Sequence, residues 1–164
     1  MVVCGIDPGT GRTGWGIVRM ESFKGKQKLT SVAYGCIETS KDDDMGKRLI
    51  HIQKGVRDVF RSFPIDCVAI ERLFFGANST TAMSVGQARG VILFTAATFK
   101  LPIFEYQGLT VKLAVTGYGR AKKREIQEHV QRILELKELP RPDDAADGLA
   151  IAMTHFIKVE HFEI

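Results

Sequence analysis

Hydrophobic and polar positions change their period several times along the chain, and each change marks an element. Val2 to Asp7 is a short apolar run stopped by Pro8-Gly9, and Gly14 to Met20 is a second, with the glycine-rich Gly9-Thr-Gly-Arg-Thr13 between them. The pair predicts a β-hairpin whose loop is too rich in glycine for a plain two-residue turn. Leu29 to Thr39 alternates loosely after the lysine-rich Lys24 to Lys28, which predicts a third strand and an opening antiparallel meander. From Met45 the period lengthens. Met45, Leu49, Ile52, Val56, Val59, Phe60 and Phe63 recur at three and four with Arg48, Gln53, Arg57 and Arg61 between them, an amphipathic helix stopped by Pro64. Asp42, Asp43 and Asp44 precede it, where the helix dipole favours negative charge, so this acidic run reads as capping rather than as a metal site.

Asp66 to Ile70 is a short strand whose next step delivers Glu71, and Thr81 to Phe99 reads as a helix with little polar surface. Its small residues, among them Ala82, Gly86, Ala88 and Gly90, alternate with Met83, Val85, Val91, Ile92, Leu93 and Phe94. A helix apolar nearly all round must be covered on more than one side, so a homodimer through this helix is expected. Pro102 to Tyr106 is a fifth strand, Leu109 to Val115 a short helix, Lys122 to Leu136 another, and Asp143 to about Ile157 a last one. The whole is an α/β reading: a mixed five-stranded sheet, an antiparallel meander plus two parallel strands, flanked by helices in one domain over residues 1–164.

Composition adds little to this picture beyond exclusions. At 164 residues with 45% hydrophobic content, the chain can bury a core without disulfides or a structural metal, and disorder is excluded as its dominant state. No run approaches the ~18 to 20 apolar residues of a membrane span, and Asp7 falls where a signal peptide would be apolar, so a cytoplasmic protein without membrane contact is expected. Cys4, Cys36 and Cys67 are widely spaced inside strand-like runs and read as reduced core residues. The net charge of +4 admits nucleic acid as a partner without demanding it.

The informative residues are acids that local structure does not require. Asp7 and Glu71 each end an apolar strand, and ligands of open sheets gather at strand ends, so parallel pairing of the two strands would bring both into one crevice. In Asp143-Asp-Ala-Ala-Asp147, Asp144 and Asp147 share a helix face at i and i+3, as do Asp143 and Asp147 at i and i+4, although capping alone would suit a first turn. Converging acids repel one another unless divalent metal intervenes, and an all-oxygen, histidine-free set suits Mg2+, with Mn2+ as a substitute. Two such ions about 4 Å apart would support phosphodiester hydrolysis. His51, His129, His155 and His161 pair with no serine or cysteine nucleophile in the sequence pattern.

Basic residues concentrate at Arg120, Lys122, Lys123 and Arg124, with Lys112 one short helix earlier. Cations are unfavourable at a helix start, so this bias asks for an external anion, and nucleic-acid phosphate is the reading preferred. Phe74 and Phe75 follow Glu71 in a probable loop, where one ring could stack on a base.

Gly5-Ile-Asp-Pro-Gly9 with Gly14-Trp-Gly16, Ala69-Ile-Glu71, Gly86-Gln-Ala-Arg-Gly90, Phe104-Glu-Tyr106, Val111-Lys112 and Asp144-Ala-Ala-Asp147 with Thr154-His155 form a collinear series. The chain resembles the bacterial RuvC family of Holliday-junction resolvases. The resemblance implies a ribonuclease H-like fold, a homodimer, and Mg2+-dependent paired nicking of four-way DNA junctions. It implies that Asp7, Glu71, Asp144 and Asp147 are catalytic metal ligands, which selects Asp144 over Asp143, and that Phe74 stacks on a base while Lys112 and Lys123 lie near the scissile strand. RuvA and RuvB are implied as partners. Asp7-Pro-Gly-Thr10 also suits the phosphate loop of actin-like ATPases and sugar kinases, but those use two such domains. A single-domain nuclease acting on structured RNA is the nearer alternative, and a non-enzymatic junction-binding protein would have no use for the acids.

Overall fold

The computed structural model of the chain describes residues 1–23, 25–72 and 79–163. β1 (Val2–Asp7) is central in a five-stranded sheet and is flanked by the antiparallel pair β2 (Arg12–Phe23) and β3 (Lys26–Glu38) on one side. On its other side β4 (Cys67–Glu71) and β5 (Ile103–Tyr106) run parallel to it, giving the order β3-β2-β1-β4-β5. This is the predicted meander plus two parallel strands. The β2–β3 ladder reaches Phe23 opposite Lys26, well past the apolar runs at Gly14 to Met20 and Leu29 to Thr39. Ladder hydrogen bonds are made by the backbone, so polar residues continue it, and Glu21 opposite Lys28 is a favourable cross-strand charge pair.

Helices α1 (Met45–Ser62) and α2 (Ser79–Thr98) lie on one face of the sheet, and α3 (Gly108–Thr116), α4 (Lys123–Ile133) and α5 (Asp143–Val159) on the other. The Asp44 side chain accepts from the Lys47 N–H at 3.0 Å, so the acidic run caps α1 as expected. Ile52, Val56 and Phe60, at the predicted spacing, are its buried stripe. The fourth helix stops at Ile133, short of the expected Leu136, because Glu135 takes a φ of 52° and the Leu136 N–H turns back to the Gln131 carbonyl at 2.9 Å.

Strand alternation assigns each position to a face. Val2, Cys4 and Ile6 pack with Val68 and Ile70 against the α1–α2 layer, while Val3, Cys67 and Ala69 pack toward α5. The same parity turns Asp7 and Glu71 to the α5 side. Beside Asp7 on that face, β1 and β2 carry glycine at positions 5, 14 and 16. A Cβ at Gly5 would lie 2.1 Å from the Gly148 carbonyl oxygen, one at Gly16 2.5 Å from the Leu149 nitrogen, and one at Gly14 1.9 Å from the Asp144 carbonyl oxygen. Glycines inside strands mark such close backbone approach. They seat the α5 backbone directly on β1 and β2, with Ala145, Ala146, Leu149, Ala150 and Ala152 fully buried.

Cys4 and Cys67 are buried free thiols, as expected, whereas Cys36 is half-buried on β3. Burial pushes the Cys36 thiol up to about 11 and the Cys67 thiol up to about 12, which leaves both as poor nucleophiles. Among the described residues, no helix is long and apolar enough to cross a membrane.

Candidate active site

Asp7 closes β1 and Glu71 closes β4, each one step beyond the paired Ile6 and Ile70, so the parallel register sets the two acids side by side at one sheet edge. Asp144 and Asp147 come from the beginning of α5, where Gly14, the register partner of Asp7, lets the helix backbone approach. One carboxylate oxygen each from Asp7, Asp144 and Asp147 lies within 4.8 Å of the others. Glu71 joins them at the end of β4, where parallel pairing sets it beside Asp7 and both line the smaller cavity. Asp143 stands outside this trio and pairs with Lys123 instead, so i and i+3 is the spacing that the fold uses.

Burial, the hydrogen bond with Glu71 and the charges of Glu71, Asp147 and Asp144 push the Asp7 carboxyl up to about 9. Burial also pushes Asp147 up to about 6, with Lys123 opposing the rise and Asp144 and Glu71 adding to it. Lys123 Nζ lies 2.9 Å from Asp143 Oδ2, 3.2 Å from Asp147 Oδ2 and 4.0 Å from Asp144 Oδ1. Burial works against its charge, but the hydrogen bond that it donates to Asp143 and the negative charge of Asp147 outweigh that and hold the ammonium above the usual lysine range. Arg12 Nη1 lies 3.7 Å from Asp144 Oδ2 while its Nε reaches Glu38 Oε1 at 3.3 Å.

The expectation that the basic run asks for an external anion therefore changes for two of its members. Lys123 is met by the acids of α5, and Arg124 Nε by Glu128 Oε1 at 2.8 Å. Arg120 and Lys122 carry no side-chain ion pair of this kind among the described residues. Lys112 lines both cavities at the site. The smaller, about 200 Å3, is bounded by Asp7, Glu71, Asp147 and Lys123, and the larger, about 630 Å3, continues past Pro8, Arg72 and Gln107. Phe74 and Phe75 lie outside the described residues.

Other participants were not singled out from the pattern of residues alone. Arg12 opens β2 just after the glycine-rich turn, opposite Glu38, and only its place in the hairpin that Asp7 leads into hinted at the site. His155 is buried on α5, with Nδ1 2.9 Å from the Tyr106 hydroxyl and Nε2 3.7 Å from Cys67 Sγ. Burial lowers its pKa, so it serves as a neutral core bridge between α5 and the parallel strands.

The donor set fits a hard divalent cation: carboxylates alone, converging, and carrying pKa values raised by burial first and by one another's charge second. Those raised values also set a pH dependence. Folded Asp7 and Asp147 keep their protons to higher pH than in the unfolded chain, so the metal-free fold binds more protons and loses stability as pH rises through the window from the ordinary carboxylate range to about 9. In EDTA the Tm is expected to fall between about pH 5 and about pH 9, and Asp7→Asn to raise it at the alkaline end by on the order of 5 °C. Thermal melts across that range check this; a parent Tm that climbs with pH contradicts it.

Residues 3–155 match the sequence profile of the family described as crossover junction endodeoxyribonuclease RuvC. The chain belongs to the RuvC family. A family member from Rubrobacter xylanophilus, a crossover junction endodeoxyribonuclease RuvC, is 49% identical over 154 residues, which is 94% of this chain and 84% of that one. The structure of Thermus thermophilus RuvC superposes with a TM-score of 0.87 at 38% identity, over 98% of this chain and 96% of that one. A second structure, of T. thermophilus RuvC in complex with a Holliday junction substrate, gives the same TM-score at 35% identity over the same shares. The fold of this RuvC-family chain is thus the ribonuclease H-like one that the sequence motifs imply.

Proposed function

We propose that this RuvC-family chain is a single-domain, homodimeric endodeoxyribonuclease that resolves four-way DNA junctions by paired, symmetric phosphodiester hydrolysis dependent on Mg2+. The observation that carries the reading is the meeting of Asp7, Asp144 and Asp147 within 4.8 Å at the end of the central strand, with Glu71 beside Asp7 at the end of the parallel β4. Junction DNA is the substrate because the structural relative from T. thermophilus was solved with a Holliday junction and the fold is shared along nearly its whole length.

In this reading Asp7, Glu71, Asp144 and Asp147 hold the divalent ions, two per site, with Mn2+ as a substitute. The bound ions would supply charge neutralisation at the phosphodiester and a more acidic water. The chain's own residues do the rest. Asp7 and Glu71, fixed by strand register, form the floor of the smaller cavity, and the rigid start of α5 holds Asp144 and Asp147 opposite them. Lys112, on the rim between the two cavities, faces the path of a backbone phosphate. Arg120 and Lys122 extend a cationic margin beside it, Lys123 and Arg124 reach DNA phosphate only by giving up their acidic partners, and Phe74 is the proposed base-stacking residue. The partnership with RuvA and RuvB rests on family membership alone.

The dimer is proposed through α2, which buries Ala88, Ile92 and Ala96 against the sheet yet leaves Met83 73% and Phe94 67% exposed. Large apolar side chains on the far side of a helix already packed once call for a second surface, and a second copy would place two sites on one symmetric junction. Phe94→Arg is expected to sediment as a monomer with an unchanged circular dichroism spectrum and to nick junctions singly. A dimer that persists in that variant removes α2 as the interface. Efficient cleavage of structured RNA with none of junction DNA would overturn the substrate reading itself.

A further inference from the structure

We infer that the Lys123 ammonium is the resident counter-ion of the acid cluster, seated there while no divalent cation is bound and displaced toward Asp143 and the groove when one enters. The inference rests on the metal-site reading above. Lys123 is the first residue of α4, where the helix dipole disfavours a cation, so its position there is maintained by the acids of α5. Its Nζ contacts Asp147 at 3.2 Å and approaches Asp144 at 4.0 Å, and these are two of the three carboxylates that converge within 4.8 Å. A divalent ion held by that trio would share its carboxylates with a like charge in a half-buried cavity, where water screens poorly.

Lysine suits such an exchange, being a point charge on a flexible stem. Asp143 makes the shortest of the three contacts, 2.9 Å, and is not one of the converging trio. A displaced ammonium therefore keeps one partner and stays at the cavity rim, facing the groove through which a phosphate would pass. Lys123 is thus a positioning residue with two stations, one answering the acids and one answering the substrate.

The two stations make a measurable competition. Calorimetric titration of Mn2+ into the DNA-free protein is expected to give about tenfold tighter binding for Lys123→Ala than for the parent, because the competing charge is gone, and near-parental binding for Lys123→Arg. Equal or weaker Mn2+ binding by Lys123→Ala overturns the exchange, since a lysine that only contacts DNA leaves metal affinity in its absence unchanged. In the parent, the Lys123 ε-methylene NMR signal should move in step with Mg2+ saturation, and a signal that stays fixed at full saturation overturns it as well. Asp7→Asn separates the two readings: undiminished Mn2+ binding there defeats the metal site, whereas loss there with no gain in Lys123→Ala defeats the exchange alone.

Discussion

Asp7→Asn is expected to lower junction cleavage in Mg2+ by at least about a thousandfold while junction affinity in Ca2+ stays within about threefold of the parent's. The asymmetry follows from position. Asp7 sits in the crevice beside Glu71 and within reach of Asp144 and Asp147, so it contributes charge to a cation site and nothing to the cationic rim. Asn keeps the shape and one acceptor oxygen but removes the charge, and the sheet register that places it is made by the backbone. The same change relieves the repulsion that costs the metal-free fold stability at alkaline pH, so the inactive variant should also be the more stable one. Single-turnover cleavage and a junction-binding titration on one preparation measure both. Parental cleavage by Asp7→Asn contradicts the ligand assignment, and lost binding with lost cleavage shows that Asp7 supports the DNA surface instead.

The second large effect lies at a residue without a side chain. A Cβ at Gly14 would fall 1.9 Å from the Asp144 carbonyl oxygen and 2.4 Å from its carbonyl carbon, both backbone atoms of the first turn of α5. Neither can swing aside, so Gly14→Ala must lift the start of the helix off β2. Overpacking of this kind typically costs about 1 to 3 kcal/mol, and on a contact this short the upper end is expected. That corresponds to a Tm lower by on the order of 10 °C. Because the displaced turn carries Asp144 and leads into Asp147, cleavage should fall by at least about a hundredfold even well below the new Tm. Activity measured at a temperature where circular dichroism shows the variant fully folded separates the two losses. Parental activity there would mean that Asp144 does not depend on the close approach of α5.

Much of this site was readable in the sequence because strand chemistry is local. Asp7 and Glu71 each follow an unbroken apolar run, and a parallel register between central strands leaves few places for their carboxylates except one edge. Asp147 was readable with an ambiguity, since i+3 and i+4 spacing both fit one helix face, and the residues alone left Asp143 and Asp144 equivalent. What separates them is the position of α4, a contact between segments 20 residues apart, in which Lys123 takes Asp143. The charge run at 120–124 was legible as a surplus of cations but not as to what answered each one, because Glu128 is local to it and Asp143 and Asp147 are not.

The glycines of the sheet carry a signal of their own. Gly5, Gly14 and Gly16 fall on one face by strict alternation, and three side-chain-free positions in neighbouring strands predict a backbone laid against them. The hairpin, by contrast, extends beyond its apolar runs because its outer half is polar on both strands, and ladder pairing there leaves no hydrophobic trace. The apolar neighbours of Cys36 predict a core position, yet β3 is an edge strand of the sheet and half of the residue's surroundings are open.

Incubation of the purified protein with a mobile four-way junction, beside a linear duplex of the same sequence and with Mg2+ omitted in parallel, tests the central claim most directly. The account predicts two symmetric nicks in opposing strands of the junction, ends that ligate without further processing, an intact linear duplex, and no cleavage without Mg2+. An intact junction in Mg2+, equal cleavage of the linear duplex, or undiminished cleavage in EDTA would contradict it.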